Sequence, residues 1–226
     1  MPRRALPLIG LVIAGLQAAS VEAGSIDTAF LEAPWPKQRV HDYEVGTDTI
    51  RWRQKASAGE GIFAGASFTA PADLQRTWGL STSYADLGPM TPGVRSVQVI
   101  EESENRRVIA IEIKVLWKEL RLVFEVEQEP PEAVRFRLVH EVIGDYRGVC
   151  LLRAAEPDQT RVEMATWLKP AVRVPSGLVL WVERGVMLKG IRNFLETCRE
   201  GGGVDNPNHP IILPGYMTTR SGGERA

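Results

Sequence analysis

The chain has 226 residues, with 27 basic side chains against 28 acidic ones and a formal net charge of -1. Such a balance gives no reason to expect a nucleic-acid partner, and 44% hydrophobic content over this length suits one domain with a substantial core rather than two. Arg3-Arg4 stands ahead of an apolar run over 5–19 and a small-x-small Val21-Glu22-Ala23. Those are the parts of a secretory signal in their usual order. The run is interrupted by Pro7, Gly10, Gly15 and Gln17, and it falls short of the roughly 20 apolar residues that cross a bilayer. Residues 1–23 are therefore expected to be a signal peptide cleaved after Ala23, leaving a soluble mature protein, periplasmic or secreted, with a charge near -2.

Residues 24–59 form a lead segment with Pro34, Pro36 and scattered charges but no sustained period; Trp35 and Trp52 are expected to pack on the body or to form a lid. The body, residues 60–200, opens with strand alternation over 62–69. Pro71-Ala72-Asp73 then starts a helix, proline suiting its first turn and aspartate the positive end of its dipole. Leu74, Trp78, Leu80, Tyr84 and Leu87 describe a short broken helical pair that ends at Gly88-Pro89 and turns through Thr91-Pro92-Gly93. Six alternating runs follow, at 94–100, 108–117, 120–127, 134–140, 146–153 and 161–168, with turns such as Glu129-Pro130-Pro131 between them. Closely spaced runs of this kind predict an antiparallel meander. An amphipathic helix over 178–200 closes the body, and Gly201-Gly202-Gly203 stops it. Residues 201–226, rich in Gly, Pro, Asn and Ser, are expected to be a flexible tail.

The predicted class is α+β: a curved seven-stranded antiparallel sheet wrapped around a long C-terminal helix, with two short helices after the first strand. Parity assigns the inner face. Ile109, Ile111, Ile113, Val115 and Trp117 share one side of their strand, as do Leu122 and Phe124, Phe136 and Leu138, and Met164. The first strand contributes Ala64, Ala66 and Phe68, two of them small enough to leave room, and the last helix adds Met187, Leu188 and Ile191. These residues are the candidate lining of a hydrophobic cavity, with Trp78, Tyr84 and Met90 as candidates for its mouth. Export would permit a disulfide between Cys150 and Cys198, and two unpaired buried thiols fit the same positions. His41, His140 and His209 are too scattered for a metal cluster or a catalytic triad. With no nucleophile elbow, phosphate loop or dinucleotide fingerprint, no catalytic residue, metal or cofactor is assigned, and Asp86, Glu141 and Asp145 read as solvated turn acids.

Ala66-Ser67-Phe68-Thr69-Ala70-Pro71-Ala72-Asp73, the following Trp78, Pro92-Gly93-Val94-Arg95-Ser96-Val97, Trp117-Lys118-Glu119-Leu120-Arg121-Leu122 and the closing helix resemble the START-like helix-grip superfamily, SRPBCC. Within it they look closest to the polyketide cyclase/dehydrase and coenzyme Q-binding branch. The resemblance implies a sheet gripping the C-terminal helix around a cavity, and binding or transfer of lipids, sterols, quinones or polyketides. The expected function is binding, and carriage, of a hydrophobic small molecule, with transient membrane contact. Two alternatives remain open at this stage: a cyclase, dehydratase or hydrolase using the same cavity, and a protein-interaction module using Trp35, Trp52, Trp167 or the tail.

Overall fold

In the computed structural model, which describes residues 25–57, 59–115, 118–140 and 143–200, nine antiparallel strands make one sheet. A four-residue helix α1 (Ala29–Glu32) precedes a hairpin of β1 (Arg39–Val45) and β2 (Asp48–Ser57), and β3 (Gly61–Ala70) follows. Then come α2 (Leu74–Thr82), a 3-10 turn (Tyr84–Asp86) and α3 (Leu87–Met90). The meander runs through β4 (Val94–Glu102), β5 (Arg106–Val115), β6 (Lys118–Glu129), β7 (Ala133–Leu138), β8 (Gly144–Glu156) and β9 (Gln159–Pro170), and α4 (Ser176–Arg199) ends it. The expected signal peptide and tail lie outside the described residues. Among the described residues no helix is long and apolar enough to cross a membrane.

The sheet order is β1-β2-β3-β9-β8-β7-β6-β5-β4. The chain leaves β3, crosses through α2 and α3 to the far edge at β4, and meanders back until β9 pairs with β3. Asp73 caps α2, its Oδ1 accepting from the Arg76 amide at 2.8 Å. Pro71 and Ala72 thus stand before the helix, not in its first turn, because the capping aspartate defines where helical geometry begins.

Two strands exceed the seven expected, and both come from the lead segment. β1 is an edge strand exposed along most of its length, so it lacks the alternation that betrays a half-buried strand. β2 buries Ile50 and Trp52 completely, and a two-residue turn with Gly46 at φ 64° joins the pair.

Both faces of the sheet are covered. On the convex side, Leu31, Trp35, Phe63, Val149 and Ala165 form a buried cluster with Phe30, Leu151 and Trp167 packed against it. Trp35 meets Phe63 at 5.3 Å between ring centroids, and the Arg53 guanidinium lies 4.3 Å from the Trp35 ring. Gly65 makes that approach feasible, since a β-carbon there would stand 3.1 Å from Trp35 Cη2. Polar clamps hold the segment down: the Ile26 amide donates to Glu127 at 2.8 Å, and Arg135 Nε donates to the Thr28 hydroxyl at 3.1 Å. Trp52 belongs to the opposite, concave core. The two lead-segment tryptophans therefore pack on opposite faces of the sheet and neither forms a lid. Trp167 is half-buried beneath the lead segment, its indole donating to the Glu60 carbonyl at 2.6 Å and its ring edge-on to Phe30 at 5.4 Å.

Candidate functional site

The concave face is built by alternation in the sheet and by one stripe of α4. Leu180, Met187, Leu188, Ile191, Phe194, Leu195 and Cys198 recur at helical spacing along that stripe. Burial increases along the helix. Ser176, Gly177, Leu178 and Trp181 are exposed, Met187 and Leu188 are half-buried, and Ile191, Leu195 and Cys198 are buried. The helix is therefore covered at its C-terminal end, where Phe194 meets Phe68 of β3 and Arg199 reaches Thr47 just before β2, and exposed in its first turn.

The predicted lining residues fall into two clusters. Ala64, Ala66, Phe68 and Ile191 are buried in the first, with Trp78, Met164, Met187 and Leu188 half-buried against it. Tyr84, Leu122, Phe124 and Leu138 are buried in the second, with Ile111, Ile113 and Phe136 half-buried against it. Trp78 and Cys150 touch both clusters. Trp117 and the Val115 side chain lie outside the described residues. Of the three mouth candidates, two are fixed in place. Tyr84 is buried and accepts from the Gln128 amide at 2.5 Å, while Met90 is buried and its carbonyl accepts from Asn193 at 3.0 Å. Of the three, only Trp78 remains half-buried.

Strand register supplies the feature that parity alone did not reveal. Ala64 pairs with Thr166, Thr166 with Gly148, and Gly148 with Phe136, so three adjacent strands place small inward residues side by side. The Phe136 ring lies across Gly148, where a β-carbon would come within 2.1 Å of Cζ.

Two polar side chains on this face were also missed. Tyr146 has the inward parity of Cys150 and Leu152, and its ring meets Phe124 at 6.1 Å and Phe136 at 6.0 Å. The Tyr146 phenol, the Glu183 carboxyl and the Thr166 hydroxyl are near enough on this face for the phenol's titration to feel both of the others. Glu183 lies on α4 three residues after Leu180 and four before Met187, inside the apolar stripe. Burial pushes its carboxyl up to about 7, the Tyr146 hydrogen bond opposing the shift. Burial, reinforced by the Glu183 charge, holds the Tyr146 phenol well above its ordinary value. A charged residue interrupting an amphipathic stripe was the available signal.

Cys150 and Cys198 stand as free thiols, one of the two arrangements their positions allowed. Cys198 sits on α4 above β2 and β3, whereas Cys150 is on β8, two strands from β3 and so about 10 Å away across the sheet. Burial pushes the thiols up to about 12 and about 11, respectively. His140 is exposed just beyond β7. Gly185 is on the exposed side of α4 with open space around it, and so does not shape the inner surface, while Gly190 faces the Met90 carbonyl. Two open surface hollows, of about 540 Å³ beside Leu74 and Pro157 and about 380 Å³ beside Arg51 and Arg161, share no residue with the predicted lining.

The sequence profile of the family described as polyketide cyclase / dehydrase and lipid transport matches residues 70–195, from the end of β3 to near the end of α4. The chain belongs to this family. No curated protein matches it in sequence. Solved structures share its fold at low identity. Human STARD10 superposes with a TM-score of 0.62 at 7% identity, over 77% of this chain and 80% of that one. The STAR-related lipid transfer protein from Xanthomonas axonopodis gives 0.60 at 11%, over 72% and 98%. The Zhui aromatase/cyclase from Streptomyces sp. R1128 gives 0.56 at 10%, over 63% and 96%. The chain has the helix-grip arrangement of these START-like proteins.

Proposed function

We propose that this protein is exported and binds a hydrophobic small molecule of the lipid, sterol, hopanoid or quinone class between α4 and the concave face, and carries it. One observation carries the reading: Met164, Met187, Leu188 and Phe136 stay half-buried on the face that holds the row of small residues Ala64, Thr166 and Gly148, and Ile111 and Ile113 stay half-buried farther along it on β5. Apolar side chains left partly uncovered on one face are what a greasy ligand would cover. Family membership supports the chemical class, and the N-terminal 23 residues support export. A ligand burying about 400 Å² of apolar surface gains roughly 10 kcal/mol, of which association and ordering take back several.

A bulkier side chain on this face tests the proposal. Ala66 is too deeply buried to serve, since a larger side chain there would disrupt the core itself. Met187→Trp is expected to leave the fold intact by circular dichroism and to lower uptake from a mixed lipid extract about tenfold; uptake unchanged in a folded variant would count against this placement.

A second reading has one observation in its favour. Tyr146 and Glu183 put a phenol and a carboxyl on an apolar face, the equipment of a cyclase, dehydratase or hydrolase acting on the same ligand class. Turnover of a polyketide-like substrate that disappears in Glu183→Gln would favour that reading over carriage.

A further inference from the structure

The concave face carries a polar constellation that packing does not require. Glu183 interrupts the α4 stripe between Leu180 and Met187, where an apolar residue would bury area at no desolvation cost. No salt bridge reaches it among the described residues. The adjacent Arg184 is engaged elsewhere, donating to the Tyr43 hydroxyl on β1 at 3.2 Å. Tyr146 and Thr166 are therefore the polar neighbours that matter, and both have limited capacity. The Thr166 hydroxyl donates to the Ala64 carbonyl at 3.3 Å, and a phenol has a single O–H. One phenol cannot saturate a carboxyl with two oxygens, so hydrogen-bonding capacity is left over at the edge of the small-residue row.

We infer that the ligand carries one uncharged hydrogen-bonding head, a hydroxyl or a carbonyl, that docks on Glu183 and Tyr146 while its apolar body lies along Ala64, Thr166 and Gly148, and that anionic amphiphiles are discriminated against. The inference rests on the binding reading above and narrows it. A hydroxyl donates to the Glu183 carboxylate or accepts from the Tyr146 O–H, and a carbonyl accepts from the phenol or from a protonated Glu183. With a carboxyl pushed up to about 7, both forms are available near neutrality. A fatty-acid carboxylate or a phosphate would instead place a second negative charge beside Glu183 with no cation to offset it. This separates sterols and quinones, whose heads are neutral, from free fatty acids and phospholipids.

The test is displacement of a fluorescent hydrocarbon probe from the purified protein above neutral pH, by four molecules with the same saturated chain: the hydrocarbon, the primary alcohol, the methyl ketone and the carboxylic acid. A sterol and a long-chain quinone run alongside distinguish the two neutral heads. The alcohol or the ketone is expected to bind about tenfold tighter than both the acid and the hydrocarbon. Glu183→Leu and Tyr146→Phe should each reduce that preference to near unity in protein that still binds the hydrocarbon probe. Glu183→Gln, which keeps a donor and an acceptor in place but no charge, should retain most of the preference over the hydrocarbon and lose the preference over the acid, and it guards against a packing artefact. Equal binding of all four chains to the native protein, or acid bound as tightly as alcohol, would overturn the inference and leave hydrophobic binding standing. Failure of every molecule, probe included, to bind would remove the binding reading and this inference together.

Discussion

The ring of Phe136 on β7 occupies the space that a side chain at position 148 of β8 would fill: a β-carbon on Gly148 would lie 2.1 Å from Phe136 Cζ and 2.6 Å from Cε1. The two residues are cross-strand partners. Glycine thus lets an aromatic ring spread over the sheet, where it also contacts Phe124 at 5.8 Å and Tyr146 at 6.0 Å. Gly148→Ala is expected to displace the ring and cost about 1–3 kcal/mol, the range for overpacking a filled site. Urea titration should show a lower midpoint at unchanged slope.

Glu183 gives stability a pH signature. Its carboxyl moves from an ordinary 4.5 up to about 7 on folding, so the folded state holds its proton more tightly than the unfolded state does. The associated stability is fully present below 4.5, is lost as pH rises toward about 7, and the loss stays constant beyond. Allowing for partial solvent access, it amounts to roughly 1–2 kcal/mol. Glu183→Gln should flatten the profile across that window in melts followed by circular dichroism; a profile as steep as the native one would place the titration elsewhere.

Trp35 anchors the lead segment to the convex face through Phe63 and Arg53. It is 4% exposed, so truncation leaves a cavity the neighbouring strands cannot close. Trp35→Ala should cost about 3–5 kcal/mol and expose Phe63 and Val149 to dye binding, as for a core aromatic.

How much of this was legible in the sequence depended on whether a residue's surroundings leave a pattern. The seven strands of the body, β3 to β9, alternate between a helix-covered face and an outer face, and that period brought out all of them. β1 gave no such signal, because only Tyr43 and Val45 at its end reach the core and the rest of the strand is exposed; Ile50 and Trp52 on β2, after the Gly46-Thr47 turn, did carry one. The membership of the concave face was readable from parity, yet its division into two clusters and the row Ala64, Thr166, Gly148 required register, which depends on pairings up to 102 residues apart. Glu183 escaped because a charge on a helix is ordinarily read as solvated, and Tyr146 because it stands near a strand end.

The thiols offer a simple check on redox state. Cys150 and Cys198 are free, and burial raises both well above the ordinary thiol range. A disulfide reagent should find neither in the native protein and both after denaturation without reductant. Zero thiols under denaturing conditions would instead mean that export had joined them.

The central claim, that a hydrophobic molecule occupies the concave face, is tested most directly by native mass spectrometry of the mature protein purified from its own cells, with an organic extract of the same sample. The account predicts an added mass at near one-to-one stoichiometry, recovered in the extract as a neutral apolar molecule. A bare protein mass and an extract free of such a molecule, from protein that also takes up nothing from a mixed lipid extract, would contradict it.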